Sequence, residues 1–260
     1  MAAARAPARP AAAAAAPAQT AMPSMATVEY WDDMYEDRQR TYDTLYGFSD
    51  IWPQIARGLP AFAAPAAAGR GRVLHPGCGT SDVTEGLWRE GFREICNLDF
   101  SGVVVELMAR RWEDAAEEAA LAGRADEAVA RRQGVSWLEA DVTRLDGVSS
   151  GSHELVLEKF TLDALLCEAK DVPSDPRGNA AIREFHRVLA PGGVLVSVAW
   201  GRGEREALLR GGGLFEVTCE QLVGEANQRP FLYFCRKRSA CVAPGRAAAA
   251  AAAGGAAAEA

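Results

Sequence analysis

Beyond residue 70 the apolar positions fall into two alternating rhythms. Short runs of consecutive or alternating apolar residues occupy 72–76, 94–100, 135–142, 154–160, 193–200, 214–220 and 231–236. Runs of that length predict strands. Between the early ones lie amphipathic stretches at 82–90, 103–130, 162–169 and 179–189, which predict helices that bury one face. Such alternation yields a parallel sheet covered by helices on both faces. Only 221–230, which reads as a loop, separates the last two strand runs, so these should pair as an antiparallel hairpin. The expected fold is a doubly wound α/β sheet of seven strands, mostly parallel with an antiparallel edge hairpin. A helical lead-in over 31–59 precedes it.

Local punctuation sharpens two helix ends. Asp82 followed by Glu85 fits a capping box, and Pro191-Gly192-Gly193 stops the 179–189 helix before the next strand. The Ala-, Glu- and Arg-rich stretch 113–133 extends a long helix with a solvated outer face and is given no chemistry.

The 49% hydrophobic fraction overstates the core, because alanine inflates it. Residues 1–26 are almost all Ala, Pro and Arg, and 243–260 are mostly Ala and Gly. Neither end has the large apolar residues that offset chain entropy, so both read as disordered tails around one domain over 27–242. The first 26 residues lack acids, as a transit peptide would, but they also lack its Ser content and Arg density. The expected location is cytoplasmic, with chloroplast or mitochondrion as the alternative.

Removing Arg5 and Arg9 from the net −7 leaves a body near −9, since Arg246 and Glu259 cancel. An acidic body argues against nucleic acid as partner and suits a basic protein substrate. The six cysteines form no CxxC pair, so free thiols are expected rather than a disulfide framework or a metal site. No apolar run is long enough for a membrane helix, and no membrane partner is expected.

Ligands of open α/β sheets bind at the carboxyl ends of the strands, and four such ends carry chemistry here. The first ends in Gly77-Cys78-Gly79, followed by Ser81 near the start of a helix. Glycine there lets the backbone approach a ligand, and the helix amides favour negative charge. A dinucleotide fingerprint would have a third glycine at position 82, where Asp82 would repel a pyrophosphate. The second ends in Asp99, placed to accept from ribose hydroxyls, or simply to cap the next helix. The third ends in Asp141-Val142, positioned for an adenine amino group and ring edge, although Asp at a strand end often only forms a turn. The fourth stops at Glu158-Lys159, with Phe160 and Asp163 just beyond; an exposed ion pair and a helix cap would explain these equally well.

In order, GCGTS, NLDFS, EADV, VLEKFTLDALL and VLAPGG resemble the Rossmann-like, seven-strand class I S-adenosylmethionine-dependent methyltransferases. VEYWDDMY at 28–35 and the LEK and TLDALL strings resemble the lysine methyltransferases of elongation factor 1-alpha, including the branch associated with endothelin-converting enzyme 2. The resemblance covers about 28–198. It implies S-adenosylmethionine as cofactor, contacted by Trp31, Tyr35, Gly77, Asp99, Phe100, Asp141, Val142 and Lys159, with Cys78, Gly79 and Ser81 completing the turn. Without it, Trp31 and Tyr35 would read as helix packing. The chain departs from the family pattern at Met34 (Arg), Asp43-Thr44 (a DW pair), Thr80 (Asn) and Phe160 (Gly), and His75-Pro76 replaces a plain aliphatic strand end. Tyr46 is a candidate for the aromatic surface lost at Thr44.

The resemblance implies a protein-lysine N-methyltransferase acting on elongation factor 1-alpha or a similar protein; separately, a monomer and no metal are expected. A lysine amine must be neutral to attack, and a desolvated pocket lowers its pKa. Glu158 and Asp163 are the expected catalytic carboxylates, Glu158 positioning the amine, while Trp31, Tyr35 and Phe160 offer faces to a sulfonium or ammonium. A small-molecule methyltransferase and a non-catalytic cofactor-binding module are the alternatives, because fold does not fix function. A nicotinamide oxidoreductase is disfavoured by Asp82 and by the lack of a second domain.

Overall fold

The computed structural model describes residues 24–36, 46–63, 71–224 and 228–238. The elements are α1 (Val28–Glu36), α2 (Phe48–Gly58), α3 (Pro60–Ala63), β1 (Arg72–Pro76), α4 (Val83–Arg89), β2 (Glu94–Asp99), α5 (Gly102–Leu121), α6 (Ala125–Gly134) and β3 (Val135–Glu139). There follow β4 (His153–Lys159), α7 (Thr161–Leu165), α8 (Pro176–Val188), β5 (Leu189–Ala199), α9 (Gly203–Arg210), β6 (Phe215–Gln221) and β7 (Phe231–Lys237). Seven strands form one sheet in the order β3-β2-β1-β4-β5-β7-β6. Strands β1 to β5 pair in parallel, and β7 runs antiparallel to both β5 and β6. The expected sheet and edge hairpin are therefore present. The part of the lead-in over 37–45, including Asp43-Thr44, lies outside the described residues, as do nearly all of both tails.

The near-continuous apolar strands follow from burial on both faces. Because successive strand side chains point to opposite sides, Val73 and Leu155 join one core layer while Leu74 and Val156 join the other. The first layer is closed by α2 and α4 through Ile51, Trp52, Ile55 and Leu87. The second is closed by α8 and α9 through Ile182, Phe185, Leu208 and Leu209. Two separate cores on one sheet are what doubly wound means physically.

Five expectations are corrected. The helix predicted over 103–130 breaks after Leu121, where Gly123 takes φ +79° and Arg124 N–H closes on Ala119 O at 2.8 Å. The chain then turns back as α6. It carries more than a solvated face: Arg131 is buried, donates two bonds to Glu85 at 3.0 and 3.1 Å, and lies 4.4 Å from the Trp112 ring centre. Asp82 forms no capping bond in α4. Its Oδ1 instead accepts Phe48 N–H at 2.8 Å and so caps α2, a long-range use that local spacing does not reveal. Strand β5 begins at Leu189, so Pro191-Gly192-Gly193 lies within its span, at a register irregularity opposite His153 and Leu155. Finally, α9 fills 203–210, where no helix was expected.

Where β4, β5 and α9 meet α7 there is a buried polar junction. Glu158, fully buried, accepts from Thr161 N–H at 3.1 Å and Leu162 N–H at 3.3 Å, satisfying the first turn of α7. Its other oxygen accepts a short bond from Ser197 Oγ and lies 4.0 Å from Arg205 Nη1. Arg205, also buried, donates to Asp163 at 3.0 Å. Glu158 thus closes a helix end inside the fold, where the sequence suggested a positioning role for the acceptor.

Two outcomes follow from this packing. A Cβ at Gly86 would lie 2.1 Å from the Phe48 ring, so Gly86→Ala must push α2 off α4. A loss of about 1–3 kcal/mol is expected, read as a fall of several degrees in thermal midpoint. Burial raises the Glu158 pKa to about 7. A raised carboxylate pKa favours the folded state most below about pH 4.5 and loses that contribution as pH rises through 7. His75, lowered to about 4 by burial, acts oppositely and costs stability as pH falls below 6.5. Urea unfolding should therefore show wild-type stability declining from pH 6.5 to 8. Glu158→Gln should flatten that decline and be more stable at pH 8 by roughly 1–3 kcal/mol.

Candidate functional site

The carboxyl ends of β3, β2, β1, β4 and β5 line up along one edge of the sheet, and a cavity of about 290 Å³ runs along them. At the middle, the chain leaves β1 through Gly77 at φ +61° and Gly79 at φ +47°, conformations open to glycine. Cys78 N–H donates to Leu98 O at 3.0 Å, which fastens the turn to β2. Its thiol is buried and its pKa pushed well up by desolvation, so it sits there as a neutral apolar group. Ser81 accepts Val83 N–H at 3.3 Å and starts α4. All four residues line the cavity.

At the β2 end, Asp99 is buried beneath the turn. Its Oδ2 accepts Gly79 N–H at 3.0 Å and its Oδ1 accepts Ser101 N–H at 3.1 Å. Burial raises its pKa to about 6, against the lowering effect of the Ser101, Gly79 and Phe100 amides. It is therefore a helix-start acceptor, as one reading of the sequence had it, and its carboxylate also borders the cavity. Phe100 lines the cavity beside it. Past β3, Asp141 accepts from the Thr143 amide and hydroxyl, both at 2.8 Å, and Val142 packs inward behind it. Both reach the cavity wall.

Helix α1 lies across the turn. Asp32 accepts from Ser101 Oγ at 2.5 Å, and Tyr35 packs with Val104 and Met108 of α5. A Cβ on Gly79 would meet the Tyr35 hydroxyl at 3.0 Å, which shows how closely the ring covers the glycines. Trp31 stacks on Tyr35 with centroids 5.7 Å apart and donates to Met25 O at 2.7 Å. Both aromatics pack on the fold and also line the cavity.

At the β4 end, Lys159 is buried and its Nζ donates to Tyr46 O at 3.1 Å. Next to it, Phe160 is the only non-glycine with positive φ among the described residues, at +62°. Its ring stacks on Trp200, 5.2 Å between centroids and 16° between planes, and Tyr46 meets Trp200 edge-on at 5.8 Å. Trp200 is 38% exposed and marks the mouth. Asp163 lines the same end; its Oδ2 accepts Trp200 N–H at 3.3 Å, its Oδ1 is paired to Arg205, and burial raises its pKa.

Every cofactor-contact residue expected from the sequence, and Asp163, borders this one cavity. Glu158 does not; it belongs to the buried junction behind it. Sequence reasoning missed Trp200, Thr161, Arg205 and the position of His75. Trp200 was within reach, since it follows β5 just as Asp99 closes β2. Arg205 was not, because it sits on the unexpected helix α9. Among the described residues no group of His, Cys, Asp and Glu is arranged to hold a metal, and the five described cysteines are free.

A methyltransferase-domain family model matches residues 74–197, the span that contains the four strand ends. The eEF1A lysine and N-terminal methyltransferase of Mus musculus is 27% identical over 172 residues, 66% of this chain and 20% of that protein. The chain thus spans about one fifth of that relative's length. Methyltransferase srdJ of Neurospora crassa is 30% identical over 183 residues, covering 69% of this chain and 68% of that protein. The structure of N-methyltransferase NodS from Bradyrhizobium japonicum WM9 with S-adenosyl-L-homocysteine shares the fold, with a TM-score of 0.52 and 16% identity over 82% of this chain and all of that one. The strand-end cavity and these matches together place the chain in the seven-strand, class I S-adenosylmethionine-dependent methyltransferases.

Proposed function

We propose that this chain is a protein-lysine N-methyltransferase that uses S-adenosylmethionine and acts on a translation elongation factor or a similar protein. The observation that carries the reading is the cavity itself, which begins at the Asp141 and Asp99 carboxylates and ends at an aromatic mouth. Its donor set fits the cofactor. Asp99 offers a carboxylate for ribose hydroxyls, and the paired rings of Trp31 and Tyr35 offer faces to a sulfonium. The lysine substrate is supported by the name of the mouse relative and by the acidic body of the chain.

When bound, the cofactor supplies an activated methyl, so positioning and in-line approach account for most of the rate. The chain's task is to admit a neutral amine. Phe160 and Trp200 line the mouth with apolar surface, and desolvation there lowers an amine's pKa from about 10.4. A bare carboxylate would oppose this by favouring the ammonium. Arg205 holds Asp163 in an ion pair, which offsets that charge. Asp163 is accordingly a positioning residue, fixing Trp200 through its backbone amide. A small-molecule acceptor is the second reading, favoured by the Phe160 ring standing where an acceptor side chain would enter.

Titration calorimetry should show S-adenosylmethionine binding, and Asp99→Ala should weaken it by tenfold or more. Because the Asp99 carboxylate titrates near 6, wild-type affinity should fall as pH drops below that value, while the weak residual affinity of Asp99→Ala stays flat across it. Saturable heat with NADH and none with S-adenosylmethionine would overturn the assignment. Radiolabelled methyl transfer into a cell lysate decides the acceptor: label on a protein lysine supports the proposal, and label on a metabolite supports the second reading.

A further inference from the structure

His75 is the one strand-end residue for which the activity so far provides no use. It occupies the fourth position of β1, two residues before Gly77, and is 1% exposed. A polar ring this deeply buried costs free energy unless both nitrogens are satisfied. One is. Nδ1 lies 3.1 Å from Asn97 Oδ1, which also accepts from Thr84 Oγ1 at 2.5 Å. The Asn97 amide is oriented independently, because its Nδ2 donates to Ser136 O at 3.3 Å. A reversed amide would set two carbonyl oxygens against each other. Asn97 therefore presents an acceptor to His75, and Nδ1 must carry the proton.

That tautomer leaves Nε2 as a lone-pair acceptor. Nε2 is buried and has no hydrogen-bond partner among the described residues, and His75 lines the cavity. Burial also lowers the ring's pKa to about 4, so it stays neutral and Nε2 stays an acceptor near neutral pH. The fold thus builds an orienting pair, Asn97 and Thr84, behind a ring whose free acceptor has only the cavity to serve.

Its place along the cavity indicates what it serves. In sheet order, Asp141 follows β3, Asp99 closes β2, His75 lies at the end of β1, and Lys159 closes β4. A ligand with adenine near β3 and ribose at β2 brings its third part to β1 and β4. There the chain offers a neutral acceptor beside a cation, with the Lys159 charge close enough to act on His75. A neutral acceptor at this point of the cavity is complementary to the ammonium of an α-amino acid group, which donates.

We propose that His75 Nε2 accepts a hydrogen bond from the α-ammonium at the amino-acid end of the cofactor, making His75 a determinant of cofactor binding. This rests on the S-adenosylmethionine reading above. Two probes separate the claims: S-adenosylhomocysteine, which carries the amino-acid end, and 5′-methylthioadenosine, which lacks it. In calorimetry, His75→Leu should weaken S-adenosylhomocysteine roughly ten- to hundredfold and leave methylthioadenosine within about twofold. His75→Gln, which can place an amide oxygen near Nε2, should recover part of the loss. Equal weakening of both probes in His75→Leu would mean that the ring only supports the turn, and the proposal would fall. So would an unchanged affinity for S-adenosylhomocysteine. Failure of the wild-type protein to bind either probe would instead remove the cofactor reading. Should His75→Leu not fold, His75→Gln carries the test alone: selective weakening of S-adenosylhomocysteine supports the proposal, and equal weakening of both probes or no change in either overturns it.

Discussion

At Gly77 the chain leaving β1 passes so close to α7 that a Cβ would lie 2.3 Å from Thr161 Oγ1. That hydroxyl donates to Pro76 O at 2.9 Å, so the turn after β1 and the helix after β4 are bonded directly to each other. Thr161 is in turn fixed by its own N–H, which Glu158 accepts from within the sheet. The spacing between the glycine turn and the β4 end is set by this chain of contacts. Any side chain at Gly77 would spread the two walls, and His75, Lys159 and Phe160 would no longer face one space. The glycine is needed for a close approach of protein to protein as well as for its left-handed φ.

The same contacts explain why the strands lose their apolar character at one edge only. His75, Asn97, Asp99, Glu158, Lys159 and Ser197 are all buried near carboxyl ends of strands. Burying such groups is unfavourable unless each finds a partner, and a core built only for stability would use Val or Leu there. Most are satisfied internally: Asn97 by Thr84 and Ser136, Asp99 by two amides, Glu158 by two amides and a hydroxyl. Apart from His153 at the start of β4, the buried polar residues of these strands gather at this edge, where the cavity lies. This edge also divides the carboxylates by depth. Asp99 reaches the cavity, whereas Glu158, one layer behind, holds the wall in place.

Much of this was legible in the sequence, for identifiable reasons. Strands buried on both faces are short apolar runs, and all seven were recovered with ends shifted by a few residues. The strand-end rule then located Asp99, Asp141 and Lys159, because a parallel sheet brings successive carboxyl ends to one edge whatever the intervening helices do. What was not legible depends on distance in sequence. Asp82 caps a helix 34 residues earlier, and its apparent capping box with Glu85 dissolves because Glu85 is drawn to Arg131 instead. Glu158 looked like an exposed charge beside Lys159, since alternation along a strand cannot reveal that Ser197 and Arg205 wait on its inward side. The break at Gly123 was masked by Ala, Glu and Arg, which favour helix on both sides of it.

Phe160 shows how a departure from the family pattern is accommodated. A left-handed backbone costs a non-glycine residue about 1–2 kcal/mol, and glycine would occupy φ +62° without that strain. Stacking on Trp200 contributes on the order of 0.5–1.5 kcal/mol beyond the burial of the ring, enough to offset the strain. The stack depends on Trp200 being held, and Asp163 holds it by accepting its amide while Arg205 neutralises Asp163. The unexpected helix α9, the ion pair and the strained residue therefore form one assembly. Their joint effect is a rigid aromatic mouth at the end of the cavity opposite Asp99 and Asp141.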